Sequence, residues 1–274
     1  MSGFRQPTRM RISIITAVKN RTATIRHTIE SVIGQDYPDI QYIVIDGGSV
    51  DGTVDIIDNY RTKIDYFTSE PDGGVYDALN KGLKIAQGDI VGFLHSDDFY
   101  HHHRVVRLAV DAIAHHQADI VFGDIVFIDP CRLNHILRIY RSHRFHPDLF
   151  AQGWMPAHPS CFIKREVYEH YGLFKTCYKL ASDFELLLRF IKINQVKYCY
   201  LPEILVCMRP GGLSNRSLAN RWTNNQEILQ ICREQNIPTN LLRLLARYPA
   251  KLCEKLTWLP AYQGMRKRKS VISR

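Results

Sequence analysis

The chain has 274 residues, 45% hydrophobic and 23% charged, an ordinary globular composition with enough apolar material for a large core. Its formal net charge of +9 sits almost wholly at the C-terminus, where residues 243–274 hold nine Lys or Arg and one acid, against 27 basic and 26 acidic groups elsewhere. A near-neutral body argues against nucleic acid as a partner and points the excess charge at an anionic surface.

Arg11–Val18, with Ile12, Ile14 and Ile15, reads as a buried strand. Thr22–Gln35 sets Ile25, Ile29, Val32 and Ile33 at helical spacing, and Asp36-Tyr-Pro-Asp39 breaks the chain after it. Tyr42–Ile45 is a second strand, running into Asp46-Gly-Gly-Ser-Val-Asp51-Gly-Thr53. Thr53–Tyr60 is a short helix with Asp51 as its expected N-cap. Ile64–Phe67 runs into Ser69-Glu-Pro-Asp72-Gly-Gly, Val75–Gln87 is a helix, and Ile90–Leu94 runs into His95-Ser-Asp97-Asp98. Helices are expected at Val105–Ala114, Arg165–Tyr171, Phe184–Asn194 and Leu218–Asn236. Further strands are expected at Ile120–Phe122, Ile136–Tyr140 and Leu205–Met208, with Phe145–Pro159 irregular.

Three apolar runs therefore end in acidic loops within the first hundred residues. This alternation predicts an α/β fold: an open, mostly parallel sheet with its site at the carboxyl ends of the strands. Carboxylates gathered there repel one another until a cation or a positive ligand group arrives, which suits a metal-bound, phosphate-bearing ligand. Neither G-x-G-x-x-G after the first strand nor GxxxxGK[ST] is present, so a dinucleotide fingerprint and a P-loop are excluded. Asp97 and Asp98, at the mouth of a buried strand, suit Mn2+ or Mg2+, which takes few protein carboxylates and leaves positions to phosphates. Either residue could instead cap the following helix. Asp46 could accept hydrogen bonds from a base or a ribose. Asp77, Asn80 and Lys81 share one helix face. Seven scattered cysteines without a CxxC pair fit a reducing cytosol, and no apolar stretch approaches spanning length, so any membrane contact is peripheral.

At these residues the chain resembles the family 2 glycosyltransferases of the GT-A fold. The resemblance runs over about residues 10–210. It rests on Ile14-Ile-Thr16-Ala17 with Asn20, on Val44-Ile-Asp46 through Thr53, on Ser69 through Gly82, on Ala86-Gln-Gly88 and on Phe93-Leu-His-Ser-Asp-Asp98. The downstream part is Trp154 through Ser160, Gly172-Leu-Phe174 and Ala181-Ser-Asp183 through Arg189. The chain is especially similar to the bacterial branch that builds exopolysaccharide, O-antigen and glycolipid sugars, colanic-acid-type transferases included.

The resemblance implies a GT-A domain over residues 1–237, its nucleotide-sugar half about 10–125 and its acceptor half about 126–237. It implies a nucleoside-diphosphate sugar held by Thr16, Ala17, Asp46, Asp72, Asn80, Lys81 and Asp97, with Asp98 on the metal. Many members carry an acid or Asn where this chain has His95. The resemblance also implies Asp183 as the general base on an acceptor hydroxyl, with Glu185 as the fallback base and His158 in the acceptor loop. The acceptor would be lipid-linked or an oligosaccharide. Residues 238–274 form a basic tail in which Arg243, Arg247, Lys251 and Lys255 recur every four residues opposite leucines. The tail is read as peripheral docking on the inner face of an anionic membrane, or as a helix packed on the body. Two other readings stay open: a sugar-phosphate nucleotidyltransferase, whose Gly-rich basic loop Thr16-Ala-Val-Lys-Asn-Arg21 lacks, and a non-catalytic nucleotide-sugar or glycan-binding protein.

Overall fold

A computed structural model describes residues 10–212 and 217–246. Strand β1 (Ile12–Val18) is buried along its whole length because helices cover both of its faces. Ile12, Ile14 and Val18 enter one core, while Ile15 and Ala17 enter the other. The chain continues through α1 (Ile25–Ile33), β2 (Ile40–Asp46), α2 (Thr53–Asp58), β3 (Tyr66–Ser69), α3 (Val75–Ile85), β4 (Ile90–Phe93) and β5 (Phe99–Tyr100). Then come α4 (Val105–His116), β6 (Ile120–Asp129), β7 (Arg132–Tyr140), β8 (Phe162–Lys164) and α5 (Arg165–Tyr171). Helix α6 (Ser182–Leu187) widens into a π-type turn over Leu188–Ile193, and β9 (Tyr198–Met208), α7 (Leu218–Glu234) and α8 (Leu241–Leu245) close the described chain.

The described strands form one sheet in the order β3-β2-β1-β4-β8-β6-β9-β5, with β7 hydrogen-bonded to β6. Strands β1 to β4, β6 and β9 share one direction; β5, β7 and β8 oppose it. The expected α/β architecture is therefore present, as a mixed and mostly parallel sheet. Helices α3, α5, α6 and α7 pack one face and α1, α2 and α4 the other.

Two features depart from the sequence expectations, and a third bears on an alternative left open there. Strand β8 is three residues long and lies at the centre of the sheet, between β4 and β6, where a Pro-rich irregular stretch had just ended. Strands β6 and β9 each extend well beyond their short apolar cores, because pairing with each other satisfies backbone groups that no side-chain pattern announces. Residues 238–246 pack on the body. The Asn240 side chain accepts from Arg243 N at 2.9 Å to cap α8, and Leu244 is wholly buried. The rest of the basic tail lies outside the described residues. No helix among the described residues is long and apolar enough to cross a membrane.

Candidate active site

Strand β1 lies between β2 and β4. The chain winds outward through β2 to β3, then returns to lay β4 on the other side of β1. The acidic loops sit at the carboxyl ends of these strands, where the winding reverses, the place at which open α/β sheets bind ligands. The loops after β1 and β2 are stitched together. Asn20 N donates to Ser49 Oγ at 2.7 Å, and Val50 N donates to Asn20 Oδ1 at 3.0 Å. Asn20 adopts a left-handed φ of 52°, which an Asn side chain tolerates. Asp51 accepts from Thr53 N (3.1 Å), Thr53 Oγ1 (2.5 Å) and the backbone and hydroxyl of Thr22 (both 3.3 Å). The Thr53 hydroxyl is the main cause holding its carboxyl below the usual range. The capping position itself is Gly52, at φ 86°, so Asp51 scaffolds the helix from one residue earlier than expected.

Asp46 is wholly buried at the end of β2. Its carboxylate accepts from Gly48 N (3.1 Å), Ser49 N (2.8 Å), Ser69 Oγ (2.6 Å) and Ser49 Oγ (2.5 Å). Those bonds fold the glycine-rich loop back on its own strand. A Cβ on Gly47 would lie 2.5 Å from Asp72 Oδ2, so a larger residue there would push the Asp72 side chain out of its place against the first acidic loop. Asp72 also accepts from Gly74 N at 2.9 Å, at the start of α3. Thr16 is wholly buried within the sheet, its hydroxyl 3.3 Å from Tyr42 OH, and Ala17 sits in the core. Lys81 holds Glu70 at 2.8 Å and lies 3.8 Å from Asp77, an arrangement that raises its pKa. The Asn80 amide is used twice on one residue, donating to Phe174 O (2.9 Å) and accepting from Phe174 N (3.0 Å).

The third acidic loop is different. Asp98 is 1% exposed, and neither of its carboxylate oxygens has a hydrogen-bond partner. Burial, and then the charge of Asp97, push its pKa well above the carboxylate range. Asp97 beside it is half-buried. Backbone bonds fix the turn: Thr24 Oγ1 donates to Ser96 O (2.8 Å), Thr28 Oγ1 to Asp98 O (2.7 Å) and Arg209 to Asp97 O (2.5 Å). The Arg209 guanidinium also lies 5.3 Å from the Phe99 ring centroid, bringing positive charge to the two acids. Among the described residues no group of three or more His, Cys, Asp or Glu could hold an ion. Any cation here is therefore held by few protein ligands, and the orphaned oxygens of Asp98 beside Asp97 fit an ion that completes its shell with phosphate oxygens and water.

The downstream candidate residues lie on and around α6. Backbone N–H groups of Lys179, Leu180 and Ala181 all donate to Glu227 of α7 (2.8, 2.9 and 2.9 Å), fixing the segment that precedes the helix. Asp183 follows in the first turn, half-buried, accepting from Phe184 N (2.8 Å) and from Tyr76 OH of α3 (3.2 Å). Burial raises its pKa to about 6, against the opposing pull of those two hydrogen bonds. Glu185 is wholly buried and its two oxygens are taken by Lys175 (2.8 Å) and Arg189 (2.9 Å). It is therefore locked in an ion pair that braces α6, not free at the cleft. His158 is 2% exposed and stacks on Phe93 of β4 at 5.3 Å, and burial depresses its pKa to about 3, so it is neutral.

The predicted residues thus fall into separate groups. Asp46, Asp72, Asn80 and Lys81 build the loops after β2 and β3 and helix α3, Asp97 and Asp98 form the turn after β4, and Asp183 meets α3 from the far half of the chain. Thr16, Ala17 and Glu185 lie inside. Sequence reasoning missed Tyr76 and Arg209. The signal for Arg209 was a lone cation directly after the apolar end of β9; Tyr76 had none, being one aromatic on an amphipathic helix.

Comparison with known proteins agrees with this layout. The profile of glycosyl transferase family 2 matches residues 13–172. Over 104 residues the chain is 42% identical to an uncharacterized glycosyltransferase of Mycobacterium tuberculosis, covering 38% of this chain and 40% of that relative. It is 26% identical over 208 residues to a PGL/p-HBAD biosynthesis glycosyltransferase of the same organism, covering 74% of this chain and 78% of the relative. In fold it is similar to a mannosyltransferase from Pyrobaculum calidifontis in complex with GDP-Man and Mn2+, with a TM-score of 0.63, 20% identity and coverage of 94% and 76%. S. aureus TarS 1–349 in complex with UDP-GlcNAc gives 0.61, with 18% identity and coverage of 81% and 66%. With more than half its length matched by the family profile, the chain belongs to glycosyl transferase family 2.

Proposed function

We propose that the chain is an inverting glycosyltransferase: it moves a sugar from a nucleoside-diphosphate sugar to a hydroxyl of a glycan acceptor. One observation carries this reading. Asp183, from the acceptor half, is a half-buried carboxylate whose pKa is raised to about 6 and which reaches the helix that follows the second acidic loop. A base of that strength is largely ionised at neutral pH yet retains proton affinity, which suits removal of a hydroxyl proton as a bond forms. A single displacement at the anomeric carbon inverts it.

The donor's diphosphate belongs at the Asp97–Asp98 turn. There Asp98 carries the divalent ion, Asp97 faces the nucleotide sugar, and Arg209 steadies the turn through the carbonyl of Asp97. When bound, Mn2+ or Mg2+ supplies charge neutralisation for the departing nucleoside diphosphate. Asp46 and Asp72 act on the nucleoside end by shaping the loops after β2 and β3, with Thr16, Ala17, Asn80 and Lys81 as their support. His158 lines the acceptor side as a neutral ring. Similar folds holding GDP-Man or UDP-GlcNAc, and a relative named as a PGL/p-HBAD biosynthesis glycosyltransferase, support a sugar-nucleotide donor, and the acceptor is read as lipid-linked or an oligosaccharide. Cell-surface polysaccharide synthesis at the cytoplasmic face of a membrane is the corresponding role, with the basic C-terminal tail on its anionic surface.

The test is a donor screen. UDP-, GDP- and dTDP-sugars are titrated with and without Mn2+, and release of nucleoside diphosphate is followed. One donor class should bind and turn over in a metal-dependent way. Absence of binding and turnover with all of them would reject the reading.

A further inference from the structure

Helix α3 belongs to the donor side: it begins directly after Asp72-Gly73-Gly74 and packs on β1 and β2. Two of its side chains nevertheless act on the acceptor side. Asn80 grips the backbone of Phe174 through two hydrogen bonds, 2.9 and 3.0 Å. Tyr76, one turn earlier, stacks on the Phe174 ring at 5.6 Å with an interplanar angle of 25°. The stack fixes the Tyr76 ring plane, and its hydroxyl ends 3.2 Å from Asp183 Oδ1.

We propose that Tyr76 is a positioning residue for Asp183: its hydroxyl, aimed from the donor side, orients the carboxylate and favours its ionised form. This rests on the reading of Asp183 as the base. The chemistry requires a donor at this place. Asp183 sits in a poorly solvated site that disfavours its charge; among the described residues Glu227 on α7 raises its pKa further, and Cys161 ahead of β8 is a buried, neutral thiol. The Tyr76 hydroxyl and the Phe184 N–H oppose that effect by donating to the carboxylate. Tyr76 itself stays protonated, since burial and then the charge of Asp183 push its pKa well above the ordinary phenol value, so it remains a donor at every working pH. The Asn80 grip makes the arrangement stiff: Phe174 cannot slide without breaking two backbone bonds, and Tyr76 cannot turn without losing its stack.

The experiment compares wild type with Tyr76→Phe, which keeps the ring and the stack and removes only the hydroxyl. Two curves are read: the titration of Asp183 by NMR on chains carrying ¹³C-carboxyl aspartate, its resonance assigned by its loss in Asp183→Asn, and the pH dependence of donor turnover. We expect the Asp183 midpoint in Tyr76→Phe to rise by roughly 0.5–1 in pH, the effect of losing one long hydrogen bond of ordinary strength. Turnover at pH below that midpoint should fall by about three- to tenfold, with the loss vanishing above pH 8. An unmoved Asp183 midpoint overturns the proposal. A midpoint that moves while the turnover profile stays put keeps Tyr76 as the partner that sets Asp183 and rejects Asp183 as the base.

Discussion

Asp46, at the end of β2, and Asp183, in the first turn of α6, are carboxylates in opposite surroundings. Asp46 is wholly buried, and four donors from Gly48, Ser49 and Ser69 satisfy it. Asp183 has two donors, a weak one among them, and a pKa pushed up to about 6 by burial. Asp98 goes further, with both oxygens buried and none of them bonded. A carboxylate saturated by its own loop builds shape; one left short of partners in a poorly solvated place is where a ligand or a proton is expected. Acids that look alike in sequence are separated by their partners.

The sharpest way to break that contrast is Asp183→Asn. It should lower kcat by roughly 10²–10⁴, the span of general-base catalysis, while the Kd for the nucleotide sugar stays within about threefold. Near-normal turnover would put the two acids in one class. Next comes the Asp97–Asp98 turn. Asp98→Ala should weaken Mn2+-dependent binding of the nucleoside diphosphate by at least about tenfold, read by calorimetry with and without metal. If Asp97→Ala alone has this effect, the ion sits on Asp97 and Asp98 is a buried scaffold residue.

Asp46→Ala should act mainly on stability. Four donors lose their acceptor, and unfolding in denaturant should show a loss of about 3 kcal/mol. An unchanged midpoint would mean the β2 loop does not depend on those bonds. The smallest effect runs in the other direction. A folded-state pKa above the unfolded one means that Asp183 costs no stability at low pH, where it is protonated in both states, and costs stability as pH rises through about 6. Asp183→Asn should therefore be more stable than wild type by up to about 3 kcal/mol at pH 8, at roughly 1.4 kcal/mol per tenfold change, and equal to it near pH 3, where the acid is protonated in both states. A variant whose advantage over wild type is no larger at pH 8 than near pH 3 would mean that burial does not strain this carboxylate.

Much of the scaffold is legible from local pattern. The alternation in β1, the helical spacing of Ala78, Leu79 and Leu83 in α3, and the apolar run before Asp97 each bury a face that their own periodicity defines. What local pattern cannot carry is pairing at a distance. Strand β8 has three residues, too few for any period, and is defined by β4 and β6 on its two sides. Asp46 reads as a ligand-facing acid because nothing in Asp-Gly-Gly-Ser reveals that Ser49 and Ser69 turn inward on it. Tyr76 meets Asp183 across 107 residues, and Arg209 meets Asp97 across 112, so neither contact has a trace in neighbouring sequence. Asp183 stands out only through the family resemblance; the groups that bond to it, Tyr76 and Phe184 N–H, come only with tertiary structure.

If Asp183 is the base, its burial sets the working pH, and the wild-type pH–rate profile shows it. With the donor that turns over best held at saturation between pH 4.5 and 8.5, log kcat should rise with unit slope and level off at a midpoint of about 6, and that limb should be absent from the residual rate of Asp183→Asn. A profile that is flat over this range, or a limb of the same midpoint that persists in Asp183→Asn, would contradict the account.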